Sequence, residues 1–299
     1  MQLNEVRTKD AEPTFSHPLL DKVSADRLRQ TVDALDYPRQ YVVQPEGNRR
    51  ARDWICGELT TLGFDVELHG QYDNVLAFGP HAKRDEPLVL LGSHYDTVET
   101  TPGADDNSSA ISVSLEAARV LAEQSVPLVV ASFNREEDGL LGSRDFVKNG
   151  IPELHLQISE AHIFEMVGYF TSEPKSQTVP EGLPIKLPAV GDFLGVLSNQ
   201  KSNSITKRLE QTASQLCLAT PLVTLKTYLG IEKLVSDLLR SDHASFWQAG
   251  IPALMWTDTS NFRNANYHAP TDTPDTLNYE AMADVTRLIV GDLLRKFGV

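Results

Sequence analysis

Apolar runs of strand length alternate with amphipathic helical patterns along nearly the whole chain of 299 residues. The segments PLVLLGS (87–93) and PLVVASF (127–133) are continuously apolar, as is typical of strands buried on both faces of a sheet. Apolar residues recur at helical spacing in other segments, including 24–36 and 279–297. This alternation predicts a single unit of the α/β class.

We predict that residues 1–299 form a single catalytic domain. With 41% hydrophobic residues the chain can bury a substantial core. Residues 1–23 are expected to form an N-terminal extension. Residues 171–190 are rich in Pro, Ser and Lys and lack periodicity, which predicts an irregular loop. Long loops in compact domains are usually functional, so this loop is expected beside a site.

Charge and cysteine content exclude several classes of partner. The formal net charge is −14 with no compensating basic stripe, so neither nucleic acid nor an anionic membrane is an expected partner. The first residues contain no apolar signal region, and no apolar run reaches transmembrane length. Cys56 and Cys217 are far apart in sequence and are expected to be reduced, which favours a cytoplasmic location.

Polar side chains of the metal-ligand type follow several of the predicted strands. They are His94, Asp96, Glu136, Glu137, Glu165 and, after a loop, His268, with Asp105 and Asp106 at the mouth of a predicted helix. Each residue alone has an ordinary explanation, such as solvated charge or helix capping. In open α/β sheets, however, the carboxyl ends of strands form the ligand site, so the combination indicates a divalent-metal centre.

The spacing of these residues divides their roles. In His94-x-Asp96 the carboxylate can lie behind the imidazole and orient it. Of the adjacent Glu136 and Glu137, one can face a metal while the other acts as a general base. Five ligands, namely His94, Asp105, Glu137, Glu165 and His268, exceed the three of a single catalytic zinc and match two ions that share one carboxylate.

Four motifs occur in order and together resemble peptidase family M28, a family of zinc aminopeptidases. They are GSHYDTV (92–98), PGADDNSSA (102–110), FNREEDGLLGS (133–143) and NANYHAPTDTPDTL (264–277). The resemblance extends from about residue 48 to the C-terminus. It implies a three-layer sandwich of the zinc-dependent exopeptidase type, with a central, mixed and mostly parallel twisted sheet flanked by helices.

The resemblance also implies a role for each site residue. His94, Asp105 and Glu165 would hold one zinc ion, and Asp105, Glu137 and His268 the other, so that Asp105 bridges. Glu136 would activate a metal-bound water molecule for hydrolysis of a peptide or amide bond, so that the enzyme is expected to be an aminopeptidase that removes N-terminal residues from a peptide or small amide substrate. Asp96 would support His94, and Tyr267 would stabilise the oxyanion. The Asp105–Asp106 peptide bond is expected to be cis.

Two further segments carry weaker signals. Asp242 and His243 match a family segment near the site, and Arg263 is interpreted equally well as a substrate contact or as part of a structural salt bridge. Family members often have Asp where this chain has Glu165, which could alter the geometry of that metal site.

Three alternative functions are also considered from the sequence. A glutaminyl cyclase would use a related fold with one zinc ion. A deacylase or carboxypeptidase of the M20 type shares the His-x-Asp and Glu-Glu pattern but usually carries an inserted domain. A non-catalytic binding protein would have lost a ligand or the base, and none is lost here. Oligomeric state is left open.

Overall fold

A nine-stranded sheet forms the centre of the computed structural model, which describes residues 1–8, 11–181, 183 and 185–299. The strands are β1 Gln2–Val6, β2 Asp65–His69, β3 Asn74–Phe78, β4 Pro87–His94, β5 Leu128–Phe133, β6 Gln157–Phe164, β7 Leu194–Ser198, β8 Leu222–Lys226 and β9 Ala253–Thr257. Their order across the sheet is β1-β8-β7-β9-β6-β4-β5-β3-β2. Strands β4, β5, β6 and β9 are mutually parallel neighbours, whereas β7 runs antiparallel to β9.

Helices cover both faces of this sheet and complete the three layers. They are α1 Ala25–Ala34, α2 Pro45–Thr61, α3 Ala110–Leu121, α4 Leu141–Asp145, α5 Ile151–Glu153, α6 Asn203–Leu216, α7 His243–Ala249 and α8 Tyr279–Phe297. The larger apolar core joins α1, α2, α3, α6 and α8 to one face, and a smaller core joins α7 to the other. The predicted mixed α/β sandwich is therefore confirmed.

Local sequence signals explain several element boundaries. The Ser24 hydroxyl accepts a hydrogen bond from the Arg27 amide and caps α1, and serine is one of the residues preferred at this position. Helix α2 begins at Pro45, since proline is well suited to the first helical position. Strands β2 and β3 pair antiparallel and form a hairpin.

The segment predicted as an N-terminal extension contributes a strand. β1 pairs antiparallel with β8 and forms one edge of the sheet. The described residues of the 171–190 segment contain neither helix nor strand, in agreement with the predicted irregular loop. Among the helices of the described ranges, none combines the length and the apolar character needed to cross a lipid bilayer.

The strand directions decide where a site can form. The carboxyl ends of β4, β5, β6 and β9 meet at one edge of the sheet, where their following loops converge. The amino end of α3 approaches this edge because its preceding loop contacts the residues after β6.

Candidate metal centre

The sheet edge brings together five potential ligands from five segments of the chain. His94 is the last residue of β4, Glu137 follows β5 and Glu165 directly follows β6. Asp106 lies in the loop before α3, and His268 lies in the loop between β9 and α8. Their ligand atoms form two overlapping groups that could each hold a metal ion: His94, Asp106 and Glu165, and Asp106, Glu137 and His268.

Asp106 belongs to both groups because its two carboxylate oxygens face opposite ways. Oδ1 lies 3.2 Å from Nε2 of His94, and Oδ2 lies 3.2 Å from Nε2 of His268. His94 Nε2 is also 3.5 Å from an oxygen of Glu165, and His268 Nε2 is 3.2 Å from an oxygen of Glu137. One carboxylate thus separates two sets of nitrogen and oxygen atoms, which is the arrangement of a shared ligand between two ions.

The prediction that Asp105 bridges the two ions is wrong. Its Oδ1 accepts a hydrogen bond from the Gly168 amide at 2.9 Å, and its Oδ2 accepts one from the Asn264 side chain at 2.7 Å. Both oxygens therefore face away from the two histidines. Adjacent residues in a non-helical segment direct their side chains differently, so only one of two neighbouring aspartates can face the centre.

The cis peptide bond also lies one residue later in the chain than predicted. The Asp105–Asp106 bond is not cis, whereas the Asp106–Asn107 bond is.

Several buried atoms at this centre lack a protein partner, which tests whether a metal fits. Within the described residues, no hydrogen-bond partner is present for Nε2 of His94, Oδ1 of Asp106, Oε1 of Glu137 or Nε2 of His268. Buried polar atoms are nearly always satisfied in native proteins. Imidazole nitrogens and carboxylate oxygens that converge without partners are the donor set that zinc and similar divalent ions accept. The residues present therefore fit a metal pair.

The electrostatics of the centre agree with this fit. Burial raises the pKa of Glu136 well above its usual range, and burial together with Asp106 raises the pKa of Glu137 to about 7. Burial alone would lower the pKa of His268, but the nearby carboxylates of Asp106 and Glu137 outweigh it and raise the pKa to about 10. Buried carboxylates outnumber buried cations here, so added positive charge would stabilise the cluster.

Asp96 connects the ends of two strands. One of its oxygens lies 3.3 Å from Nδ1 of His94, on the side of the ring opposite Asp106. Its carboxylate also accepts hydrogen bonds from the backbone amides of Glu136 and Glu137, at 3.1 and 3.3 Å. Asp96 therefore orients the His94 ring, as the spacing predicts, and fixes the loop that carries both glutamates.

Glu136 is buried next to the ligands and forms a further possible group with His94 and Glu137, but it belongs to neither of the two groups that share Asp106. Its Oε2 lies 3.9 Å from Nε2 of His94, farther away than the oxygens of Asp106 and Glu165. The adjacent glutamates are thus placed differently, with Glu137 against His268 and Glu136 facing the open cavity beside the centre.

Three positioning residues escape sequence reasoning. The Asp272 carboxylate accepts hydrogen bonds from the backbone amides of both Asp105 and Asp106, at 2.9 and 3.1 Å. The Ser241 hydroxyl and the Asn107 amide both donate to Oε2 of Glu165, at 2.8 and 3.4 Å. Asp272 lies in the motif NANYHAPTDTPDTL (264–277), and this was the one sequence feature that could have identified it. Its hydrogen bonds to the backbone of a distant segment cannot be predicted from residue spacing.

Tyr267 lies at the rim of the centre. Its ring stacks on His268 with the ring centroids 3.7 Å apart, and its hydroxyl accepts a hydrogen bond from Nη2 of Arg240 at 3.0 Å. Arg240 also donates to Asn261 at 2.8 Å, which holds the guanidinium in place. The phenol is therefore oriented by a cation that sequence reasoning did not identify.

The remaining sequence candidates occupy supporting positions. Arg263 is buried and donates to Gln177 at 2.9 Å and to the Tyr169 carbonyl at 3.3 Å, so it anchors the 171–190 segment. Asp242 is fully buried beside the centre, and burial raises its pKa to about 7. His243 is bonded through Nε2 to the Leu238 carbonyl at 2.9 Å.

Comparison with known proteins identifies relatives of this chain. The family model described as Peptidase family M28 matches residues 74–291. The uncharacterized protein YfbL of Escherichia coli is 34% identical over 237 residues, which are 72% of this chain and 68% of that protein. Aminopeptidase YwaD of Bacillus subtilis is 30% identical over 211 residues, which are 68% of this chain but only 39% of that protein.

Solved structures share the fold at lower identity. The LapA aminopeptidase of Legionella pneumophila has a TM-score of 0.73 at 20% identity, with 96% of this chain and 77% of that chain covered. A glutaminyl cyclase of Porphyromonas gingivalis has a TM-score of 0.67 at 19% identity, with 92% and 99% covered. Both likenesses concern the fold alone.

Proposed function

The chain belongs to peptidase family M28, and from this premise we propose that it is a two-metal aminopeptidase in which Asp106 is the shared ligand. The observation that carries the proposal is the position of the Asp106 oxygens, each 3.2 Å from a different histidine. One zinc ion would be held by His94, Asp106 and Glu165, and the other by Asp106, Glu137 and His268.

The metal pair, when bound, would supply Lewis acidity for the amide carbonyl and lower the pKa of a water molecule. Glu136 is the group left to move the proton, because it is buried at the centre without belonging to either of these two ligand groups. It accepts the proton of the attacking water while the water oxygen bonds to the carbonyl carbon. As the carbon–nitrogen bond breaks, Glu136 returns that proton to the leaving amine.

Two side chains assist without taking the proton. The Tyr267 hydroxyl, held by Arg240, can donate a hydrogen bond to the carbonyl oxygen as negative charge develops there. Asp96 fixes the position of the His94 ring relative to the Glu136 backbone, since it contacts both.

Cleavage next to a free N-terminus is supported by the charge of the site. The cavity wall at the centre carries the carboxylate of Glu136, which is not one of the proposed zinc ligands and would attract the α-ammonium group of a peptide. The name of the relative YwaD points the same way.

A glutaminyl cyclase is the main rival, since its fold is similar. A cyclase of the single-zinc type needs one ligand set, whereas this chain has two complete sets that share Asp106. The two proposals differ in the number of ions bound and in the need for water as a reactant.

Replacing the proposed base tests the function. Glu136→Gln is expected to lower kcat on aminoacyl-anilides by about 10²- to 10⁴-fold while zinc content stays unchanged, because the amide cannot accept a proton. Activity of the zinc-loaded variant close to that of the wild type would refute the role of Glu136. Conversion of the N-terminal glutamine of a peptide to a pyroglutamyl residue by the wild type, with release of ammonia and no cleavage of the peptide, would support the cyclase instead.

A further inference from the structure

A cavity of about 410 Å³ opens from the metal centre and continues across one face of the sheet. Its walls at one end are Asp106, Glu136 and Glu165, and at the other end it reaches Leu3 on the edge strand β1. An apolar cavity of about 150 Å³ is enough to hold benzene, so one branched or aromatic side chain would leave most of this space empty.

The floor of this cavity is built in register by four strands. Thr257 of β9 pairs with Gly195 of β7, and Gly195 pairs with Val223 of β8. In the next row Met255, Leu197, Leu225 and Leu3 are successive partners. Because side chains two residues apart share a face, both rows point into the same space.

The length of the cavity follows from the strand order. From β6, which ends beside Glu165, to β1 there are four steps across the sheet, through β9, β7 and β8. At about 4.8 Å per step this is a span of about 19 Å. The cavity therefore has the shape of a channel that begins at the metal centre and runs perpendicular to the strands.

Gly195 keeps the channel open near the centre. A Cβ atom at this position would lie 3.1 Å from the Thr257 carbonyl oxygen, so even alanine would be tightly placed. The roof over the far half is formed by Leu183 and Leu238, which are 8% and 3% exposed and pack on Leu225. The far half is therefore covered by apolar side chains.

The chemistry of the lining discriminates between possible occupants. A peptide segment in the far half would bury amide and carbonyl groups against Leu225, Leu183 and Leu238, none of which has a side chain that can hydrogen-bond. Each unsatisfied group would cost free energy. A hydrocarbon chain has no such groups and gains free energy from each methylene removed from water.

We propose that the site acts on amides whose acyl part carries an unbranched hydrocarbon arm, and that this arm lies in the channel from Gly195 to Leu3. The inference rests on the proposed amide hydrolysis at the metal centre. The arm can belong to an N-terminal residue with a long alkyl side chain or to a fatty acyl group without an α-amino group. In both cases the carbonyl carbon stays at the metal centre and the same bond is cleaved.

A homologous series of p-nitroanilides tests the proposal. The zinc-loaded enzyme is assayed with alanine, 2-aminooctanoic acid and 2-aminododecanoic acid anilides, and with octanoyl and dodecanoyl anilides that lack the amino group. We expect kcat/KM to rise by about fourfold for each methylene that becomes buried. Whichever series, with or without the amino group, shows the rise identifies the source of the arm.

Variants that shorten the channel provide the control. Val223→Phe is expected to reduce kcat/KM for the 2-aminododecanoic acid anilide at least tenfold while the rate with the alanine anilide stays within twofold. Leu3→Trp, at the half-buried far end, should affect only the longest substrate and serves if the first variant does not fold. Leu68→Phe, on the exposed opposite edge of the sheet, should change neither rate.

Two results separate the inference from the proposed function. Cleavage of the alanine anilide with no gain along the series, and no effect of Val223→Phe or Leu3→Trp, would overturn the channel while the aminopeptidase stands. If no anilide is cleaved, thermal unfolding decides: 2-aminododecanoic acid should raise the Tm of the wild type more than that of Leu3→Trp. Equal Tm values with and without this acid would then overturn the inference as well.

Discussion

At the scale of single residues, the choice between Asp105 and Asp106 decides the chemistry. The sequence places two aspartates side by side before a helix, and both could serve as ligands. Only the fold selects between them, since Asp105 is bound by Gly168 and Asn264 while Asp106 faces both histidines. The selection depends on contacts with residues about 60 and 160 positions away in the chain, which no local pattern contains.

Asp272 gives a prediction at this scale. Each of its two carboxylate oxygens accepts a hydrogen bond from one backbone amide, that of Asp105 or of Asp106. In Asp272→Asn one of these oxygens is replaced by an NH2 group, which cannot accept, so one hydrogen bond is lost. We expect zinc affinity or activity to fall by about 10- to 100-fold. Zinc titration and kcat/KM measure the effect. Asp275→Asn, in the same loop but exposed to solvent, is the control, and an equal loss in both variants would contradict the role of Asp272.

At the scale of elements, continuous apolar runs and periodic helices were predictable and short polar strands were not. The runs that became β4 and β5 and the periodic segments that became α1 and α8 follow rules that hold locally. β1, with the sequence QLNEV, has too few apolar residues to be recognised. It becomes a strand because the edge of β8 offers unpaired backbone groups, which is a tertiary effect.

The cap of the closing helix can be tested at this scale. The Asn278 side chain accepts a hydrogen bond from the Ala281 amide at 3.1 Å and satisfies an otherwise unpaired donor at the start of α8. Asn278→Ala is expected to lower the free energy of unfolding by about 1 kcal/mol. Urea unfolding measures the loss. Gln71→Ala, at an exposed position outside any helix cap, is the comparison for generic substitution effects, and an unchanged midpoint for Asn278→Ala would contradict the capping role.

At the scale of the whole molecule, a buried charge network links the sheet to two helices. Arg208 of α6 donates to Glu160 of β6 and to Asp292 of α8 at 2.7 Å each, and Lys296 of α8 lies 3.0 Å from Glu160. His162 shares this cluster, whose acids and histidine could otherwise be mistaken for a second metal site. The arginine and the lysine already supply the positive charge, so the cluster is structural.

This network predicts how stability depends on pH. Burial alone would raise the pKa of Glu160, but hydrogen bonds from His162 and Arg208 outweigh it and hold the pKa well below the ordinary value of 4.5. A depressed carboxyl pKa stabilises the fold above the pKa of the unfolded chain, and this contribution is lost as the pH falls through the pKa of the folded state. Stability should therefore decrease as the pH drops below about 4.5.

The variant Glu160→Gln isolates this contribution. Its free energy of unfolding should be lower than that of the wild type at pH 7, and the difference should shrink as the pH falls below 4.5. Urea unfolding of both proteins from pH 7 to pH 3.5 measures the difference. Exposed Glu86→Gln is the control, and a difference that stays constant with pH would contradict the account.

The central claim is that two zinc ions share Asp106, and zinc content measured by native mass spectrometry tests it most directly. We expect two ions per chain for the wild type and for Asp105→Asn, and loss of both ions for Asp106→Asn, because both of the groups assigned here to zinc contain Asp106 and neither contains Asp105. A single ion in the wild type, or loss of zinc from Asp105→Asn while Asp106→Asn retains two ions, would contradict the claim.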